Sequence, residues 1–115
     1  MGGRDFEDYD YMKRILDEQF DNLSFVESIV SGGAKGADTL AERYAEEIGR
    51  PITVFKPDYK RYGRGAAFMR NTQIIENSDV VYAFWDGKSN GTRDAIFKAQ
   101  KLGKILYIFR YDQKQ

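Results

Sequence analysis

The sequence predicts an α/β layer fold with a mostly parallel sheet. Segments with helical spacing of apolar residues alternate with short apolar runs that are typical of strands. The connections between them are rich in glycine and other turn-forming residues. The length of 115 residues is that of one compact domain, and no repeat or linker divides it. Residues 1–115 are therefore predicted to form a single domain.

The first half of the chain contains two predicted helices around a predicted strand. Apolar residues recur at helical spacing over residues 9–20, and Asp8 could cap that helix. Residues 25–30 indicate a strand that ends in Ser-Gly-Gly. The clearest helical stripe covers residues 37–48, and Gly49 is placed to end it.

The middle of the chain alternates in the same way. Residues 52–55 indicate a short strand closed by Pro57, and residues 57–66 are predicted to form a polar loop. A helix over about residues 66–77 follows. The apolar run at 79–85 is typical of a strand that is covered on both faces.

The last part of the chain supplies the final helix and strand. Residues 86–91 are dense in turn formers, and Thr92 is predicted to cap the next helix. Residues 104–110 are predicted to close the sheet as its last strand.

Composition excludes several chemistries. The chain has no cysteine and no histidine. This rules out thiolate nucleophiles, disulfides, cysteine-ligated metals and imidazole bases. Acid–base work would fall to carboxylates, tyrosine or lysine. No acidic cluster suggests a metal site, so neither a metal nor another cofactor is predicted. No signal peptide opens the chain and no run approaches the ~20 apolar residues of a membrane span, so a cytoplasmic protein with no membrane contact is expected.

The net charge of zero hides an asymmetry. Residues 1–50 carry 6 basic and 12 acidic side chains, whereas residues 51–115 carry 12 basic and 6 acidic ones. A basic half in a neutral protein favours a local anionic ligand over wholesale nucleic-acid binding. Chance segregation of charge on solvated helix faces is an equally simple explanation.

Two glycine-rich turns connect a predicted strand to a predicted helix. The first glycine-rich turn is residues 31–38, and its helix N-terminus would offer unpaired N–H donors to a phosphate or carboxylate. The second glycine-rich turn is residues 86–92, which adds hydroxyl and amide groups. Each could instead be only a tight turn, with Asp38 favouring the helix dipole in the first. A parallel sheet would bring both to the same rim, where α/β folds bind ligands.

Basic and aromatic residues are interleaved between the two turns. The stretch combines groups that can fork onto phosphate with rings that can stack on a base: Lys56, Lys60, Arg61, Arg64, Arg70, Tyr59, Tyr62 and Phe68. A solvated loop with snorkelling side chains is the simpler alternative. The length of the loop and its two glycines favour a mobile lid.

Five motifs together resemble the SLOG superfamily, in particular its YspA-like (cpYpsA-related) branch. They are Gly2-Gly3-Arg4-Asp5-Phe6, Ser31-Gly32-Gly33-Ala34-Lys35-Gly36-Ala37-Asp38, Pro57-Asp58-Tyr59 with Tyr62-Gly63-Arg64, Arg70-Asn71, and Trp85-Asp86-Gly87-Lys88-Ser89-Asn90-Gly91-Thr92. Their order is that of the family, and they cover nearly the whole chain.

The resemblance implies a Rossmann-like three-layer fold that binds nucleotide-derived ligands at the carboxyl ends of its strands. More distant relatives are LOG-type phosphoribohydrolases and DNA-processing protein A. In the hydrolases a Glu and an Arg act on the substrate, and Asp94 and Arg70 occupy the matching positions here. The family also has an apolar strand before its Gly-Arg-Asp-Phe turn, and this strand is expected to be missing here. A true start upstream of Met1, pairing with another copy and a rearranged sheet remain open as explanations.

The sequence thus predicts a protein that senses or sequesters a phosphorylated nucleotide-derived ligand, such as an ADP-ribose-like or cyclic nucleotide. The alternative is an N-glycosidic hydrolase that uses Asp94 and Arg70; single-stranded nucleic-acid binding is disfavoured by the neutral charge. The resemblance also implies a homo-oligomer. The predicted ligand-binding residues are Gly3, Arg4, Asp5, Gly32, Gly33, Ala34, Lys35, Gly36, Asp38, Tyr62, Arg64, Arg70, Asn71, Trp85, Asp86, Gly87, Ser89, Gly91 and Thr92.

Overall fold

The computed structural model describes residues 1–20 and 26–111. In chain order its elements are α1 (Tyr9–Gln19), β1 (Ile29–Ser31), α2 (Ala37–Ile48), β2 (Ile52–Val54), α3 (Tyr59–Tyr62), a 3-10 turn (Gly63–Gly65), α4 (Ala66–Glu76), β3 (Val80–Trp85), α5 (Asn90–Lys101) and β4 (Ile105–Arg110). This mixed order of helices and parallel strands confirms the predicted α/β class.

The strands form two parallel pairs. β1 pairs with β2 from Ile29↔Ile52 onward, and β3 pairs with β4 from Val80↔Ile105 onward. The carboxyl ends of β1 and β3 lead into the two glycine-rich turns. Because each pair is short on its own, helices must cover its faces to supply most of the buried apolar surface.

Helices lie on both sides of the β3–β4 pair and give three layers. On one side, Phe6 and the apolar faces of α1 and α2 pack against Phe84, with the Phe6 and Phe84 ring centroids 5.2 Å apart. On the other side, α4 and α5 bury Ile75, Ala95 and Ala99 against Val81. The alternation of side chains along β3 explains both contacts, since Val81 and Phe84 point to opposite faces.

A tyrosine pair fastens α1 to α2. The Tyr44 hydroxyl donates a hydrogen bond to Asp17 across 2.8 Å, and burial raises the pKa of Tyr44. Burial also raises the pKa of Tyr9 to about 12, with the Glu47 carboxylate adding to the effect. Both hydroxyls therefore stay protonated at neutral pH and act as structural groups.

A cavity of about 440 Å³ separates the two strand pairs. Ile29 and Val30 line one side and residues 80–82 line the other, with Met12 and Leu16 also contributing. The segment before Phe6 reaches only the carboxyl end of this gap, where Gly2 forms a parallel bridge to Phe84. Within the described residues this bridge is all that stands where the resemblance expects a further strand.

Two predicted boundaries before α4 are wrong. The strand expected at 25–30 is β1 at Ile29–Ser31, with residues 26–28 outside it and Phe25 outside the described residues. The loop expected at 57–66 contains α3 and a 3-10 turn. Asp58 is the reason, because its side chain accepts a hydrogen bond from the Arg61 backbone N–H at 3.1 Å and caps the short helix.

The predicted cap of the last helix is also wrong by three residues. α5 begins at Asn90 with Ser89 in the cap position, so Thr92 lies inside its first turn, where it is buried. The remaining predicted elements agree with the structure to within a few residues. Asp8 caps α1 by accepting from Tyr11 N–H, and Gly49 ends α2 in the left-handed conformation, both as predicted.

Candidate functional site

In the first glycine-rich turn, side chains of the turn accept hydrogen bonds from some of its own backbone N–H groups. The Ser31 hydroxyl accepts a hydrogen bond from Gly33 N–H at 3.1 Å, and Asp38 Oδ2 accepts from Ala34 N–H at 3.3 Å. The following helix α2 begins at Ala37, with Gly36 in the cap position and no side-chain cap. Lys35 is exposed on the turn. The Ala37 N–H donates to the Gly3 carbonyl, so the donors that remain for an anion are the amides of Asp38 and Thr39 in the uncapped first turn.

Two glycines of this turn are required by the protein's own packing. A Cβ on Gly32 would lie 2.7 Å from Arg70 Nη1 and 2.9 Å from Asp38 Oδ2. Gly36 has φ of +81°, and a Cβ there would collide with the carbonyl of Gly3. The glycines therefore let the turn approach Arg70 on one side and the N-terminal segment on the other.

The N-terminal motif lies against the same helix terminus. The Gly3 carbonyl accepts a hydrogen bond from Ala37 N–H at 3.2 Å, and Gly3 N–H donates to Phe84 O at 3.0 Å. Asp5 Oδ1 accepts from the Tyr111 hydroxyl at 2.6 Å, while the Arg4 side chain is exposed. Gly3 thereby joins the start of α2 to the carboxyl end of β3.

Arg70 is the central charged group of the site. Its side chain is buried, with 7% of the residue exposed. Nη1 donates to the Gly32 carbonyl at 2.6 Å, and Nε donates to Asn71 Oδ1 at 3.2 Å. Within the described part of the chain no carboxylate lies within ion-pair distance of it. A buried guanidinium without an ion-pair partner is costly, and although Asp38 Oδ2 faces the same side of Gly32 as Arg70 Nη1, this position favours an anion from outside the chain.

Asn71 extends this network to the second glycine-rich turn. Its Nδ2 donates to the Gly91 carbonyl at 3.2 Å and to Asp94 Oδ2 at 3.3 Å. Asp94 also forms an ion pair with Lys98 at 2.8 Å. One helix, α4, thus holds both turns, and the Asp94 carboxylate is separated from Arg70 by the Asn71 side chain.

The second glycine-rich turn is closed by Asp86. One Asp86 oxygen accepts hydrogen bonds from the backbone N–H groups of Lys88 and Ser89, each at 2.8 Å. Gly87 has φ of +83° and lies against the Arg110 guanidinium. No side chain caps the start of α5, and Gly91 in its first turn is open to solvent. As in the first turn, the uncapped helix start keeps free donors.

Trp85 is held at the edge of this turn. Its indole N–H donates to the Ser89 carbonyl at 3.1 Å. The guanidinium groups of Arg93 and Arg110 lie over its ring, 5.8 and 5.5 Å from the centroid. Cation–π contacts of this kind occupy the ring, which leaves less of it for stacking on a base.

A pocket of about 280 Å³ opens beside Arg70. It lies between the carboxyl end of β2, α3 and α4, and its lining residues are Val54, Phe55, Lys56, Asp58, Arg61, Tyr62, Ala66, Arg70 and Gln73. We refer to it as the α3 pocket. The basic stretch at 56–70 therefore faces a concave surface at Lys56, Arg61 and Arg70. Arg64 does not line it and is exposed on the 3-10 turn.

The structure joins most of the predicted site residues into one network. The N-terminal turn, the first glycine-rich turn, Arg70, Asn71 and the second glycine-rich turn are connected by the hydrogen bonds given above. Arg4, Lys35 and Arg64 are exposed around this network rather than part of it. Gln73 is absent from the sequence prediction, and its spacing of three from Arg70 on one helix face is the signal that could have found it.

The described residues offer neither a metal cluster nor a membrane-spanning helix. Within residues 1–20 and 26–111, no group of three or more acidic side chains could hold a metal ion. In the same residues no helix has the length and apolar character needed to cross a membrane.

Comparison with known proteins identifies the family. Residues 1–62, more than half of the chain, match the YspA, cpYpsA-related SLOG family. The Gene 61 protein of Mycobacterium phage D29 is 37% identical over 81 residues. That match covers 65% of this chain and 65% of the phage protein, just under two thirds of its length. No solved structure matches. On the family match and the five motifs that the fold assembles, the chain belongs to the YspA, cpYpsA-related SLOG family.

Proposed function

We propose that this protein binds a phosphorylated, nucleotide-derived ligand and senses or sequesters it. One observation carries the proposal: Arg70 is buried, has no carboxylate partner in the described structure, and opens on the α3 pocket beside Lys56 and Arg61. A phosphate would supply the missing negative charge, and a guanidinium can hold it through two parallel hydrogen bonds.

Two further features support a nucleotide as the source of that phosphate. The uncapped starts of α2 and α5 lie on the rim that Arg70 and Asn71 hold together, and helix N-termini favour phosphate and ribose oxygens. Tyr62 lines the α3 pocket and keeps 36% of its surface exposed, but the Arg61 guanidinium lies 5.2 Å from its ring centroid, so only the part of the ring that Arg61 leaves open suits stacking on a base. Membership of the SLOG family suggests a nucleotide-related ligand-binding or processing function.

Binding is favoured over hydrolysis by the surroundings of Asp94. A carboxylate that stabilises an oxocarbenium-like ribose must face the sugar with its charge available. Asp94 instead pairs with Lys98 at 2.8 Å and accepts from Asn71, and it does not line the α3 pocket. The hydrolase remains the second candidate because Asn71 links Asp94 to Arg70, which would place an acid within reach of a ligand on the rim.

The two candidates are separated by one set of measurements. Calorimetry with AMP, cyclic AMP and ADP-ribose is expected to show binding of at least one of them, with no free base released over hours of incubation. Failure of every phosphorylated compound to bind the folded protein would defeat the proposal. Release of adenine from AMP that disappears in Asp94→Asn would establish the hydrolase instead.

We also propose that the protein forms a homo-oligomer through the outer edge of β4. In the described residues no strand pairs with that edge, and Ile105, Tyr107 and Ile108 are 56%, 43% and 41% exposed. Between Lys104 and Arg110 this edge is apolar, and open apolar edges tend to pair with another strand. A second copy fits, because antiparallel pairing about a two-fold axis at Tyr107 would place apolar residues opposite one another.

Sedimentation tests this interface. The wild-type protein is expected to sediment as a dimer and Tyr107→Glu as a monomer, since a charge in the middle of the edge would oppose its own symmetry mate. Met69→Glu, at an equally exposed apolar position on α4, should leave the dimer intact. A monomeric wild-type protein at all concentrations would contradict the interface.

The ligand class proposed above is one of cytoplasmic metabolites, so we propose the cytoplasm as the place of action.

A further inference from the structure

We propose that the α3 pocket receives a terminal, doubly charged phosphate of the ligand, rather than a cyclic or internal phosphodiester. This inference rests on the proposed function and names the chemical class of its ligand. Three features of the pocket support it: its charge, its size and its connection to the rim of the glycine-rich turns through Arg70.

The charge of the pocket exceeds what one negative charge can balance. Lys56, Arg61 and Arg70 all line it, and none of the three forms an ion pair within the described residues. The one carboxylate in the lining is Asp58, which caps α3 by accepting from the Arg61 backbone N–H but keeps its charge, so the lining has a formal excess of two positive charges. A phosphodiester carries a single charge, whereas a terminal phosphate carries close to two at neutral pH. Three cationic groups around three phosphate oxygens give the matching arrangement.

The size of the pocket limits how much of a ligand it can take. Sites that enclose whole small molecules usually measure roughly 300–1,000 Å³. The α3 pocket measures about 280 Å³, close to the lower end of that range. It therefore suits an end group, with the rest of the ligand outside. In a cyclic phosphodiester two of the phosphate oxygens are bonded to ring carbons. At least one of these esterified oxygens would then have to face Lys56 or Arg61 in place of a charged oxygen.

The rest of the ligand has a natural direction. Arg70 lines the α3 pocket and also donates to the Gly32 carbonyl on the rim. A ligand with its terminal phosphate at Lys56 and Arg61 would pass Arg70 and reach the first glycine-rich turn. Tyr62, on the wall of the pocket, lies beside this path. Arg70, the buried cation among the three, thus serves both the α3 pocket and the rim.

The absence of histidine gives this inference a distinctive signature. No side chain of the chain has its ordinary pKa between about 5 and 8. The titratable groups that face the pocket are Lys56, Asp58, Arg61, Tyr62 and Arg70, and none of them is an imidazole. The N-terminal amine does not line the α3 pocket; it lies 3.9 Å from Asp38 Oδ1, and Met1 lines the other cavity. A pH dependence of binding in this range would therefore report on the second ionisation of the ligand phosphate, near pH 6.

The experiment is calorimetry of the full chain with AMP, cyclic AMP and inorganic pyrophosphate from pH 5.5 to 8. AMP is expected to bind at least about tenfold more tightly than cyclic AMP at pH 8. This ratio corresponds to the free energy of one charge-assisted hydrogen bond. Its affinity should fall about fourfold towards pH 5.5 as the phosphate gains a proton. Cyclic AMP has no such ionisation and serves as the control for any titration of the protein itself.

Variants localise the effect. Arg61→Gln should weaken AMP about tenfold and reduce the preference for AMP over cyclic AMP. Lys60→Gln, the neighbouring exposed lysine of α3 that does not line the pocket, should change neither. Melting curves verify that both variants fold. Equal or tighter binding of cyclic AMP, a pH-independent AMP affinity or an unaffected Arg61→Gln would overturn the inference and leave the proposed function standing. If none of the phosphorylated probes binds, the proposed function itself fails.

Discussion

Arg70→Met is expected to lower the affinity for a phosphorylated nucleotide on the order of 100-fold while the protein stays folded. The guanidinium is buried, with 7% of the residue exposed, and it has no carboxylate partner in the described chain. Its removal therefore takes away the deepest charge available to the ligand. The binding measurement is the calorimetry described above, with the tightest-binding probe.

The same substitution should have a small effect on stability. Methionine fills a similar volume and relieves a buried charge that has no counterion, which is often neutral or stabilising. The loss of the hydrogen bond to the Gly32 carbonyl acts in the opposite direction. The free energy of unfolding should change by no more than about 2 kcal/mol.

A surface control shows whether charge alone matters. Arg14→Met, at an exposed position on α1, removes one positive charge far from the site and should leave binding unchanged. If Arg70→Met unfolds the protein, or if it binds as tightly as the wild type, Arg70 is a structural group and the proposed site is wrong. Arg70→Lys should recover only part of the affinity, because lysine keeps the charge but loses the planar fork.

Gly36→Ala is expected to destabilise the protein by about 3 kcal/mol or more. The backbone of Gly36 has φ of +81°, which a side chain disfavours, and a new Cβ would meet the carbonyl of Gly3 and lie 2.7 Å from that of Arg4. Both are backbone atoms that cannot rotate away. The melting temperature should fall by more than about 10 °C for a domain of this size.

Gly91→Ala provides the matched control. Gly91 lies in the first turn of α5 and has no positive φ, and a Cβ added there would meet no atom within 4 Å. Alanine there should stabilise the helix by about 0.5–1 kcal/mol. A Gly36→Ala protein that melts within a few degrees of the wild type would show that the N-terminal turn does not pack against α2 as described.

The sequence predicted the elements better than the details that connect them. Apolar periodicity was enough for α1 and α2, because each buries one stripe of side chains. It failed at α3, where four residues are too few to show a period and a single hydrogen bond from Asp58 decides the conformation. β1 was placed too early, since a run of apolar residues does not show which of them find a pairing partner.

For the site, the resemblance predicted which residues belong to it, and the structure shows which of them contact one another. Glycine at 32 and 36 was expected to leave room for a ligand, and the structure adds that Arg70 and Gly3 occupy that side of the turn. The α3 pocket combines residues from β2, α3 and α4, so no local pattern contains it. Gln73 belongs to it because it lies three residues after Arg70, on the same face of α4.

The pairing of Arg70 with Asn71 has a mechanical consequence. Neighbouring residues on a helix project about 100° apart, so these two side chains reach the carbonyls of Gly32 and Gly91 from one point on α4. A helix that holds two loops in this way transmits a displacement at one of them to the other. Occupation of the α3 pocket would act on Arg70 and, through the same turn of backbone, on the start of α5. Ligand binding would then be coupled through α4 to the position of the β3–β4 half of the molecule.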